Sequence, residues 1–174
     1  MPVSSMFLKQ SADFLLNAYL PRIEQCVAAL GDEDLWWRPN EKSNSIGNLI
    51  LHLSGNVRQW IVSGIGGKPD IRVRQREFDE RGGISRNELL KTLRSTVEEA
   101  AGIIAALDQN AAGPQHPLQT QRQGVGNQFP THGAHFSMHT GQIIQITKER
   151  TGEDLGFYGF DKGVPKERWG GKPD

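Results

Sequence analysis

Four stretches of this chain carry apolar residues at three- and four-residue spacing, the repeat that lays a stripe down one side of an α-helix. No stretch sustains the alternation of a half-buried strand. A striped helix must bury its stripe against another element, so the pattern restricts the chain to helix-on-helix packing. The first helix is predicted over residues 4–30, through Phe7, Leu8, Leu15, Tyr19, Ile23, Val27 and Leu30. Pro21 interrupts it, which predicts a kink or break near Leu20. The second, over 45–64, starts at a cap from Asn44 or Ser45 and carries Ile46, Leu49, Ile50, Leu53, Val57, Trp60 and Ile61. Ser85-Arg-Asn-Glu88 is a capping box, and the third stripe runs from Leu89 to Leu107. The fourth helix opens at Pro130 and closes near Arg150, where Lys148 and Arg150 suit the negative end of its dipole.

The connectors are long. Residues 31–45 include Trp36-Trp37-Arg38-Pro39, with a helical turn expected over Asp32–Trp37. The two tryptophans are expected to plug one end of the core, and one of them, Trp37, can at the same time wall a pocket. Residues 68–83 alternate in charge and read as a solvated crossover, too long for a tight hairpin. The segment before the fourth helix is polar, and the tail from Gly156 is expected to be irregular and partly packed across the helices. The whole is an all-α fold, one domain over 1–174.

Charge removes some functions. Twenty basic and 20 acidic side chains give a formal net charge of zero, which argues against a nucleic-acid partner and against a polybasic membrane surface. The N-terminus lacks the pattern of a signal peptide and no apolar run is long enough to span a bilayer, so a cytoplasmic protein is expected. Cys26 is the only cysteine and fits that compartment, and its place on an apolar helix makes it a core residue first.

The fourth helix holds the chemistry. His132, His135 and His139 are three of the chain's five histidines, and helical periodicity puts them within roughly 60° of one another. Ile143 and Ile146 continue that face, so the imidazoles point toward the core. They are either core and rim histidines satisfied by hydrogen bonds or ligands of a metal ion, because histidines at i and i+4 present two nitrogens to one centre. A third ligand has to come from elsewhere, and His52 is the remaining histidine on an inward-leaning helical position. Three histidines with open positions are the donor set of catalytic rather than closed structural sites. Each ligating imidazole needs a partner for its other nitrogen, and Asn56, Gln59 and Gln142 are neighbours of suitable type. His116, between Gln115 and Pro117, reads as a surface residue.

These residues also resemble a known group. Trp36-Trp37-Arg38-Pro39-Asn40, Ser43-Asn44-Ser45-Ile46-Gly47-Asn48-Leu49-Ile50-Leu51-His52-Leu53 and His135-Phe136-Ser137-Met138-His139-Thr140-Gly141-Gln142-Ile143 are similar, in that order, to an uncharacterised branch of the DinB-like superfamily. Gly156-Phe157-Tyr158-Gly159 is similar to the ending of its members. The resemblance implies a four-helix bundle with up-down-down-up connectivity and a long crossover, usually a homodimer. It implies a divalent metal ion, zinc or nickel, on His52, His135 and His139. Characterised relatives are metal-dependent transferases and isomerases that use low-molecular-weight thiols. The implied function is therefore a transferase or hydrolase activating a small thiol or water, the alternative being a non-enzymatic metal-binding dimer with a structural or stress-related role. Two features depart from the pattern. His132 adds an imidazole one turn ahead of His135, able to compete as a ligand or to stand behind the site, and the polar segment Gln119–Gln128 blurs the start of the fourth helix.

Overall fold

A computed structural model describes residues 3–110 and 128–169, with side chains from Met6 to Leu107 and from Gly133 to Trp169. Among the described residues the chain is mostly helical, with one small two-stranded sheet. α1 (Val3–Asp13), a π-helical segment (Phe14–Tyr19) and α2 (Leu20–Ala28) follow one another without interruption. α3 (Asp32–Trp36) is the expected short turn, with three acidic residues at its N-terminal end where the dipole favours them. α4 (Ile46–Val57) runs into a second π-helical segment (Arg58–Ser63). α5 (Arg74–Asp79) precedes α6 (Arg86–Asn110), and α7 spans Gln128–Thr151. α6 packs against α1, α2 and α4, while α7 packs against α2 and α4. The stripes meet in one core, where Ile23 and Val27 of α2, Ile50 and Leu53 of α4, Leu93 and Val97 of α6 and Ile143 of α7 are all fully buried. Each such side chain contributes about 1.5–3 kcal/mol relative to exposure. None of the described helices is long and apolar enough to cross a membrane.

Three expectations are corrected. Of the kink or break expected near Leu20, the break is not found: the helix runs on through Pro21, with the π-helical segment Phe14–Tyr19 ending directly before Leu20. A proline leaves the carbonyl four residues back without its donor, here that of Asn17, and Trp169 from the C-terminal segment donates its indole Nε1–H to that oxygen at 3.0 Å. Trp169 is 1% exposed and lies under the Arg22 guanidinium, 3.7 Å from the ring centre. The tail is not irregular throughout: β1 (Tyr158–Asp161) pairs antiparallel with β2 (Val164–Glu167) across Lys162-Gly163. Both turn residues have positive φ, 50° and 82°, as the tight turn suited to a twisted hairpin requires. With four residues to a strand, the sequence holds too little alternation to reveal it. Finally, the charged crossover is not simply solvated. It contains α5, and Glu77 within it is buried.

α4 is placed by its own sequence. Ser45 caps it, its hydroxyl accepting from the Asn48 backbone N–H at 3.2 Å, while the Asn48 side-chain oxygen accepts from the Ser45 backbone N–H at 3.1 Å. Gly47 lies under Trp36. A Cβ there would come within 2.7 Å of the indole ring, so the absent side chain is what lets α3 close against α4.

Candidate metal centre

Asn48 and His52 are one turn apart on α4 and grip the same neighbour. Asn48 is fully buried, and its amide nitrogen donates to the carbonyls of Glu77 and Glu80 at 2.8 and 2.9 Å. Its oxygen accepts from Arg38 at 2.9 Å. This pins the end of α5 to α4. His52, 5% exposed, then meets the Glu77 side chain, with Nδ1 2.9 Å from Oε2. Phe78 sits against the other side of the imidazole, ring centres 4.9 Å apart.

The second helix of the site is α7. His135 and His139, both half-buried, are one turn apart on it. Three ring nitrogens converge: Nε2 of His135 lies 3.1 Å from Nε2 of His52 and 3.1 Å from Nε2 of His139. One ligand atom from each of the three residues can be chosen so that all lie within 4.8 Å of one another. Two imidazole nitrogens on one tetrahedral zinc ion, each at 2.0–2.1 Å, stand about 3.3 Å apart, so the two 3.1 Å separations from His135 are of the size that one ion imposes.

The outward nitrogens decide the protonation. His52 Nδ1 faces two groups, Glu77 Oε2 at 2.9 Å, which accepts, and an Arg72 terminal nitrogen at 3.1 Å, which only donates; that nitrogen already donates to Oε2 at 2.8 Å, and a proton on Nδ1 directed at Oε2 turns the lone pair of Nε2 to the centre. The Gln142 side-chain oxygen is 2.7 Å from His139 Nδ1, and the same logic leaves the His139 Nε2 lone pair facing inward. Two lone pairs thus approach the His135 Nε2 from different directions. A proton there could serve both only through a bent, shared bond, whereas one cation serves three lone pairs at once. The donor set therefore fits a metal ion. Burial pushes the His52 imidazole below its ordinary pKa, and the Glu77 carboxylate works against that shift without reversing it, so His52 stays a neutral donor at neutral pH.

The remaining sequence candidates fall in different places. Gln142 is on the His139 ring, as above. Gln59 is one residue removed from the imidazoles: its oxygen accepts from Arg72 at 2.9 Å, and Arg72 stands 3.1 Å from His52 Nδ1 while holding Glu77. Asn56 is half-buried and takes no part in this network among the described residues. Trp37 is not with the histidines. The Arg150 guanidinium lies 4.8 Å from its ring centre, eleven residues beyond His139 and so about 16 Å along the helix. The His132 side chain, His116 and the segment 119–127 lie outside the described residues. Sequence reasoning missed Glu77 and Arg72. The only signal was an acid directly before an aromatic residue, Glu77-Phe78, in a stretch otherwise alternating in charge.

The class defined so far is a mostly helical protein with an inward cluster of three histidines able to hold a metal ion. The family model described as "Protein of unknown function (DUF1572)" matches residues 3–163, and the chain belongs to that family. None of the curated proteins and none of the solved structures compared matches it.

Proposed function

We propose that the protein binds one divalent metal ion, zinc or nickel, through His52, His135 and His139, and that the site is that of a metal-dependent transferase or hydrolase acting with a small thiol or water. The observation that carries this reading is the convergence of three Nε2 atoms while Glu77 and Gln142 hold the outward nitrogens of His52 and His139. Bound on three neutral imidazoles, a divalent ion supplies Lewis acidity that brings the pKa of a coordinated water or thiol toward neutrality. The chain supplies the rest. Glu77 and Gln142 fix the tautomers and aim the rings. His52 stays neutral in its buried position, and the half-buried His135 and His139 leave a side of the cluster within reach of a small molecule. Motif order along the chain supports a link to the DinB-like superfamily, and with it a four-helix bundle of up-down-down-up connectivity and a homodimer.

The test is elemental analysis of untagged protein, wild type against His52→Ala. One equivalent of zinc or nickel in the wild type and much less in the variant is expected. Metal-free wild type under metal-replete growth would refute the reading. Loaded protein is then offered an electrophile such as monochlorobimane with a panel of small thiols, and absence of both thiol transfer and hydrolysis would remove the enzymatic half. A second reading keeps the ion but makes it structural, because its ligands would come from α4 and α7 and an ion between them would lock that packing. It expects chelation to lower the melting temperature sharply, where a catalytic ion changes it less.

A further inference from the structure

The crossover that reads as a solvated loop instead builds a fixed support beneath one of the histidines. Arg72 meets Glu77 in a two-pronged pair: Nε donates to Oε1 at 2.7 Å and the terminal nitrogen to Oε2 at 2.8 Å. Both side chains are withdrawn from water, 6% and 10% exposed. Arg72 is itself held, its other terminal nitrogen donating to the Gln59 oxygen at 2.9 Å and its backbone N–H to the Asp70 carboxylate at 3.0 Å. Gln59 closes the ring by donating to Asp70 at 2.7 Å. The carboxylate oxygen left for His52, Oε2, is therefore fixed in position and direction. Burying an ion pair is expensive, and apolar residues of the same volume commonly do as well for stability, so stability alone does not account for one here.

We infer that Glu77, held in place by Arg72, is a positioning residue of the metal site: it fixes the His52 proton on Nδ1 and the ring angle that delivers Nε2 to the centre. The inference rests on the metal reading above. Without the carboxylate the imidazole can exchange tautomers and rotate about its Cβ–Cγ bond, and a proton on Nε2 removes the lone pair that a ligand must offer. The Arg72 terminal nitrogen that donates to Glu77 Oε2 at 2.8 Å also stands 3.1 Å from His52 Nδ1, and with its hydrogen bond committed to Oε2 the Nδ1 proton is directed at the carboxylate. No contact of either residue with an ion is needed.

The experiment titrates cobalt(II) into metal-free protein and records visible absorption, alongside nitrogen-15 spectra of the histidine rings before metal is added. Variants are Glu77→Ala, Glu77→Gln, and the double replacement Glu77→Met with Arg72→Met, which removes the acceptor without leaving a buried charge and so retains the fold. Wild type is expected to bind cobalt with His52 protonated on Nδ1. Glu77→Ala and the double variant should bind about 10- to 100-fold more weakly, with shifted visible bands and a mixed His52 tautomer. Glu77→Gln, whose amide oxygen still accepts, should recover much of the wild-type affinity. A merely structural role would leave bands and tautomer unchanged in any variant that folds. Wild-type affinity, bands and tautomer in the double variant would overturn the positioning role alone. Failure of the wild type to take up cobalt would overturn the metal reading and this inference with it.

Discussion

Gly55 separates two accounts of α4 by the sign of one measurement. Read as sequence, it is a glycine in a helix interior, where alanine normally stabilises by about 0.5–1 kcal/mol. In the fold it sits under the Glu77–Arg72 pair. A Cβ built on Gly55 would overlap Glu77 Oε1 and lie 2.9 Å from Arg72 Nε and 3.0 Å from Glu77 Cδ. Neither neighbour is a free chain end. The carboxylate is held by Arg72 and His52, and Arg72 by Gln59. In Gly55→Ala the carboxylate must leave, which breaks a buried pair. Losing such a pair costs about 3–5 kcal/mol. Set against the gain in helix propensity, the net loss is about 2–4 kcal/mol, or roughly 5–15 °C in melting temperature for a chain of this size. The assay is thermal and urea unfolding of chelator-treated protein, so that metal binding does not enter. A Gly55→Ala protein as stable as wild type, or more stable, would refute the reasoning and return residues 68–83 to the status of a solvated loop.

Two further outcomes follow from the fold. Trp169→Phe leaves the Asn17 carbonyl without its indole donor and weakens the stack with Arg22, which should cost about 1–3 kcal/mol; in a Pro21→Ala background, where the backbone N–H at position 21 can serve that carbonyl, the cost should shrink, and equal losses in both backgrounds would argue against the pairing. Cys26 is fully buried, and burial pushes its thiol up to about 11, so native protein at pH 8 should resist a disulfide reagent that reacts at once in denaturant. The sign for stability is also set: the unfolded thiol ionises near about 8.5, below the folded value, so the stability that Cys26 adds over a Cys26→Ala variant should decline as pH rises from about 8.5 toward 11, followed by urea midpoints.

Much of the helical layout can be read from periodicity because burial of one face is what a stripe records. Leu49, Ile50, Leu53, Val57 and Ile61 were on the expected face of α4 and its π-helical extension, and all are buried. The pair His135 and His139 follows from the same arithmetic, four residues on one helix. That arithmetic fails where a partner is remote in sequence. Pro21 announces only a missing donor; Trp169, 152 positions from Asn17, supplies the replacement. Trp36 and Trp37 look equivalent in sequence, yet one covers Gly47 and the other lies beside Arg150.

The sequence by itself determined the long helices, their inward faces, and two histidines that must share a direction because the backbone between them is helical. Only the tertiary structure brought His52 within 3.1 Å of His135, across two helices whose packing depends on the whole core. Tertiary structure alone also turned an alternating-charge connector into a buried Arg72–Glu77 support, since whether opposite charges face water or each other depends on what lies above them. Local pattern fixes which way a side chain points on its own element. What it points at is set by packing between elements, and a metal site, which needs three atoms from two of them, is therefore a property of the fold.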